Sequence, residues 1–189
     1  MAEETTSFIA QKGDYKNLIA FQKSECIYDI TFYFANKYLA KGDRTIDQMV
    51  QAARSGKQNI AEGAAAGTTS SETELKLINV AKASLQELKL DYEDYLRVRN
   101  IPQWKLGEPK FEQTRKVCAS HNDSAYYRQA IETRSDEVIA NTAIILINQT
   151  DYMLKHLFDR LKQEFLEHGG IKEEMTRGRL EYRKKQKGY

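Results

Sequence analysis

Proline and glycine are scarce in these 189 residues, at 2 and 10, and neither occurs in residues 14–41, 68–101 or 110–168. A β-sandwich needs turn residues every eight to twelve positions, so these long gaps exclude it and point to helices. The two cysteines, Cys26 and Cys118, are 92 positions apart without C-x-x-C spacing, which argues against a disulfide framework or a zinc site. No long apolar run is present. The longest, Val138–Ile147, is interrupted by Asn141 and Thr142 and is half of what a bilayer crossing requires. The first residues lack a basic and then apolar segment, so a signal peptide is not expected and the predicted compartment is the cytoplasm. Eleven tyrosines and seven phenylalanines are enough to build a core and speak against disorder.

What is present is helical periodicity. Residues 1–13 are read as a loose arm. From Asp14 to Lys41, the positions Leu18, Phe21, Tyr28, Phe32, Ala35 and Leu39 predict the apolar side of a first helix that stops at Gly42. Asp43 or Thr45 caps a second helix, expected to run to Glu62 with Gly63 as its C-cap. Ser71 and Glu74 have capping-box spacing and open a third helix, with Leu75, Ile78, Ala81, Leu85, Leu88, Tyr92 and Tyr95 as its seam. Asn100–Pro109 breaks the pattern and holds both prolines and the only tryptophan. Two short helices, at Lys110–Ala119 and from Asp123, precede a long one at Ser135–Glu167. That last helix carries two adjacent apolar rows, which require either a central position or a subunit interface. The predicted fold is all-α: an up-down four-helix bundle over residues 1–170 with an insertion at about 100–134, then a basic tail at 171–189.

Catalytic patterns are missing. The histidines, His121, His156 and His168, have no glutamate three positions before them, so no di-iron pair exists, and His156 is read as packed or interfacial. Glu87, Asp91 and Asp94 share one helix face but lack matching ligands elsewhere. The glycines around Gly63–Thr69 lack a Walker lysine, which leaves only a weak case for a phosphate contact there. No catalytic residue, metal or cofactor is expected, and the chain is read as a non-enzyme.

Charge is unevenly distributed beneath a net +2. Residues 171–189 hold seven basic and three acidic side chains, a balance of +4, so residues 1–170 are net −2. The second helix is crowded with small residues, among them Gly56, whose helix-propensity cost of about 1 kcal/mol implies a compensating close approach. It also carries a polar ladder of Gln48, Gln51, Ser55, Gln58 and Glu62.

That helix carries Asn59-Ile60-Ala61-Glu62-Gly63 within the run Asp47–Gly63, followed by Ala81, Ser84, Leu85, Glu87 and Leu88. These two blocks resemble the four-helix bundle family named for proteins encoded by intervening sequences in bacterial 23S ribosomal RNA genes. The match covers about residues 15–100; from Pro102 the chain looks like a longer variant. The resemblance implies a homopentamer without catalytic activity. It also implies kinship with accessory variability-determinant proteins of diversity-generating retroelements, which bind reverse transcriptase and nucleic acid through a basic surface. The candidate nucleic-acid-binding residues are Arg44, Arg54, Lys57, Arg183, Lys184, Lys185 and Lys187. The expected partners are further copies of the chain, RNA or DNA, and reverse transcriptase or another protein. A purely structural protein–protein module is the alternative.

Overall fold

The computed structural model describes residues 15–187, apart from the side chains of His168, Ile171 and Lys187. The arm expected at residues 1–13 lies outside the described residues, as does Asp14. After a 3-10 turn at Tyr15–Asn17 come α1 (Ile19–Tyr38), α2 (Arg44–Ala66), α3 (Ser71–Val98), α4 (Pro109–Ser120), α5 (Ser124–Ile131), α6 (Asp136–His168) and α7 (Ile171–Lys187). The described residues contain no strand, and the chain is all-α.

Local chemistry sets the ends. Asp43 caps α2 by accepting from the Thr45 amide at 2.9 Å, and Asp123 caps α5 through Ala125 at 3.0 Å. Ser70 rather than Ser71 caps α3, accepting from the Thr73 amide at 3.2 Å, which moves the expected cap by one residue. Gly42 takes φ +88° in the turn between α1 and α2, where a side chain would be strained.

Gly63 does not end α2. The helix continues through Ala64–Ala66, all strong helix formers, and Gly63 is instead buried against α3, where an added Cβ would touch Leu77 and Ile78 at 3.4 Å. The capping role falls to Gly67, which leaves room for the buried carboxylate of Glu74.

The core lies among α1, α2, α3 and α6. Helix α1 packs on α2 and α6, and α3 packs on the same two. Phe34 meets Tyr92 and Tyr95 with ring centroids 5.0 and 4.7 Å apart, and the Tyr92 hydroxyl donates to Thr31 at 3.0 Å. Buried hydroxyls need such partners, and this one joins α1 to α3 through the middle of the core.

The two apolar rows of α6 have a definite cause. From Ile139 to Ile147 every side chain except that of Thr142 is buried, because α4 covers the flank that α1 and α3 leave open. This half of α6 is central within one chain and not a subunit interface. Beyond Thr150 the burial narrows: Leu154 and Leu161 remain in the core, whereas Tyr152 and Leu166 are exposed.

Asn141, which interrupts the apolar run, anchors the Pro-Trp-Pro connection. Its Oδ1 accepts from the Trp104 amide at 2.8 Å, and its Nδ2 donates to the Pro102 carbonyl at 3.0 Å. Glu137 adds a bond from Trp104 Nε1 at 2.8 Å. Among the described residues, no helix is long and apolar enough to cross a membrane.

Candidate nucleic-acid interface

Small residues on α2 let it approach α3 closely. A Cβ on Gly56 would lie 2.7 Å from Leu85 Cδ2, closer than carbon atoms can sit. Just beyond, Ser55 and Ser84 hydroxyls meet at 3.0 Å, and Asn59 Nδ2 donates to the Ser55 carbonyl at 2.8 Å. Ile60 is buried, Ala61 is half-buried against the core, and Glu62 is exposed. Within Asn59–Gly63, then, Gly63 meets α3, Ile60 and Ala61 pack in the core, Asn59 bonds back along α2, and Glu62 is exposed. Of the polar ladder, Gln48, Gln51 and Glu62 are exposed and Ser55 and Gln58 are half-buried, so most of it is solvated within one chain.

The predicted basic residues fall in two places. Arg44 and Arg54 on α2 are exposed and form no ion pair among the described residues. Lys57 is half-buried, with its ammonium 4.5 Å from the Tyr28 ring centroid. The segment expected as a basic tail is the helix α7. There Arg179, Arg183, Lys184 and Lys185 are exposed and form no ion pair among the described residues, while the Lys187 side chain lies outside them. The start of α7 lies near that of α3: Glu72 is held below the usual carboxylate range first by Lys76, at 2.7 Å, and more weakly by Lys172. No contact joins Arg183–Lys185 to Arg54 or Lys57, so the two clusters are not brought together.

Phe32 departs from expectation. It was predicted on the core side of α1, yet its side chain is 53% exposed. The buried side instead runs through Phe21, Ile27, Ile30 and Phe34, while Phe32 belongs to a stripe with Glu25, Asp29 and Asn36. Phe32 lines an open groove of about 650 Å³ with Tyr28, Tyr33, Asn36, Lys37 and Arg128, beside Asp29 and Glu132. Lys37 Nζ donates to the Tyr33 hydroxyl at 2.6 Å, a bond that raises its pKa. Arg128 reaches Asp29 at 3.7 Å, and Ser124 donates to the same carboxylate. The polar stripe at 25, 29 and 36 was the signal that Phe32 faces outward.

Other surfaces are less suited to an anion. The groove between α2 and α3 is lined by Asp47, Gln48, Gln51, Ser55, Ser84 and Glu87 and contains no cation. Burial, Glu87 and Asp94 push Asp91 up to about 6. The Gly63–Thr69 segment brings the Glu74 carboxylate against Gly67, which repels a phosphate. No cluster of three or more His, Cys, Asp or Glu suited to a metal occurs among the described residues. His121 stacks on Tyr126 with centroids 3.8 Å apart, and His156 is exposed rather than packed, edge-on to Tyr152 at 4.3 Å.

Beneath the α4–α5 region, Lys23 is fully buried and its ammonium donates to the Cys118 carbonyl. This carbonyl is in the last turn of α4, where free acceptors and the negative end of the helix dipole favour a cation. Burial nonetheless lowers the Lys23 pKa. It also raises the nearby thiols, Cys26 to about 12 and Cys118 to about 11. These groups fasten α1 to the insertion and face no solvent. In comparisons with known proteins, the chain matches no protein-family model, no curated protein and no solved structure.

Proposed function

We propose that the protein is a non-enzymatic, oligomeric four-helix bundle that binds nucleic acid, or a nucleic-acid-processing protein such as a reverse transcriptase, through exposed basic residues. The observation that carries this reading is α7, a helix whose Arg179, Arg183, Lys184 and Lys185 are all exposed without an ion-pair partner among the described residues. Cations so arranged release counterions when they meet phosphates, which drives sequence-independent binding. An up-down bundle is supported by the packing of α1 and α3 each on both α2 and α6, with short links from α1 through α3. The resemblance of Asp47–Gly63 to the ribosomal intervening-sequence family points the same way, and a homopentamer is the assembly it implies.

The test is RNA binding followed by fluorescence anisotropy between about 50 and 200 mM salt, where phosphate contacts lose affinity steeply. Replacing Arg183, Lys184 and Lys185 together by glutamine is expected to lower the slope of log affinity on log salt by about 2 to 3. Absence of RNA and DNA binding even at low salt overturns the reading.

A second reading, a protein–protein module alone, is favoured by the exposed Tyr152 and Leu166 beyond the covered half of α6. Both readings expect assembly. Light scattering at micromolar concentration is expected to give a mass several times the 21.8 kDa of one chain, and a monomer counts against the oligomer.

A further inference from the structure

Two half-buried rings of the groove on α1 each stand beside a cation, and the exposed ring, Phe32, does not. Lys57 stands 4.5 Å from the centroid of Tyr28, and Lys37 stands 4.9 Å from that of Tyr33. Phe32 lies between them in sequence, with its ring 6.4 Å from Tyr28 at an interplanar angle of 29° and the rest of its surface open to water. A phenylalanine half out of water on a polar stripe gains little from the fold, and an external flat apolar partner would cover it. Arg128 supplies a third cation at the α5 edge.

The charge balance decides what that partner is. Lys37 and Arg128 line the groove with Asp29 and Glu132, so its lining is balanced, with Arg128 and Ser124 on Asp29, and Lys57 beside Tyr28 adds one cation at its edge. A duplex offers dense phosphate with its bases stacked out of reach, so a site that holds it needs many uncompensated cations. Unpaired nucleotides offer base faces as well as phosphates, and rings beside a few cations suit them.

We infer that the α1 groove is a stacking platform for single-stranded nucleic acid, with Phe32 and Tyr28 against base faces and Lys37, Lys57 and Arg128 beside the backbone. This inference rests on the nucleic-acid reading above and adds the form of the polymer and its contact residues. Recognition by stacking is tolerant of sequence because every base presents a π-face.

The experiment compares a single-stranded RNA of about ten nucleotides, within the usual range of such sites, with the same sequence as a duplex. The full chain, Phe32→Ala, Phe32→Trp and Lys57→Gln are each titrated at several salt concentrations. The single strand is expected to bind more tightly than the duplex. Phe32→Ala is expected to weaken single-strand binding about tenfold at every salt concentration, leaving the salt slope unchanged, because a lost stack costs about 5- to 160-fold and releases no counterions. Phe32→Trp should retain the affinity, and Lys57→Gln should lower the slope by about 0.7. Since Phe32 is exposed, an unaltered far-UV circular dichroism spectrum is expected for each variant.

Equal binding of strand and duplex, with Phe32→Ala silent, overturns the stacking platform and leaves the nucleic-acid reading standing. Failure of the full chain to bind either polymer at low salt overturns the wider reading with it. If Phe32→Ala lowers the native mass in light scattering while strand affinity holds, the groove is a contact between copies of the chain and the inference is wrong.

Discussion

Gly56→Leu is expected to destabilise the protein by about 3 kcal/mol or more, the upper end of what overpacking a core costs. A Cβ alone would stand 2.7 Å from Leu85 Cδ2 and 2.8 Å from its Cγ, and leucine adds three further carbons beyond it. Leu85 is fully buried in the seam of α3, so it has no open space to move into. Better helix propensity returns only about 1 kcal/mol. At roughly 2–4 °C per kcal/mol for a chain of this size, the thermal midpoint should fall by about 6–12 °C.

A cycle separates local overpacking from a general fault. Leu85→Ala alone should cost about 2–5 kcal/mol by leaving a cavity. Combined with Gly56→Leu, the large side chain is moved across the contact, and the pair should be less damaging than the sum by about 1–3 kcal/mol. A midpoint for Gly56→Leu within about 2 °C of the parent would show that α2 and α3 do not approach closely here.

That close approach was legible in the sequence because a glycine amid a helical pattern has a known cost. Gly63 looks the same as a helix stop until the packing of Leu77 and Ile78 against it is seen, and three following alanines sustain the helix through it. The two rows of α6 gave the number of faces to be covered but not the identity of their covers. Periodicity is a property of one helix, whereas α4 reaches α6 from more than fifteen residues upstream. Asn141 was visible only as a break in an apolar run, since its partners, Trp104 and Pro102, are far away in sequence.

The proposed interface follows the same rule. Lys57 could be named from its charge, but Tyr28 beneath it belongs to another helix, and Lys37 and Arg128 enter through α1 and α5. Phe32 was assigned to the core because an aromatic at helical spacing usually lies there; the polar company of Glu25, Asp29 and Asn36 was the stronger signal. The net −2 of residues 1–170 is why the proposed contacts are confined to α7 and one groove rather than spread over the whole body.

Alkaline unfolding is expected to begin above pH 9 and to be complete near pH 11. Burial raises Cys26 from 9.0 to about 12 and Cys118 from 9.0 to about 11. A raised acid holds its proton in the fold and loses it in the unfolded chain, so its stabilisation is intact below pH 9 and falls as pH climbs toward the folded value. By pH 11 each thiol withdraws roughly 2–3 kcal/mol, at 1.36 kcal/mol per unit. Tyr92, Tyr95 and Tyr127, all raised chiefly by burial, add losses of the same sign above pH 10. Lys23 acts oppositely. Its lowered pKa means that the cost of burying its charge is relieved as pH rises toward 10.5, which delays the onset but does not offset two thiols and three phenols. At pH 11 these losses come to about 8–10 kcal/mol before the opposing gain from Lys23, comparable to a total stability of about 5–15 kcal/mol. Far-UV circular dichroism between pH 7 and 11.5 checks this, and Cys118→Ala should shift the midpoint upward because one of the two thiol losses disappears. Native ellipticity retained at pH 11.5 would mean that the thiols under α4 are reached by water, and that the insertion is not sealed against α1 by Lys23 and its neighbours.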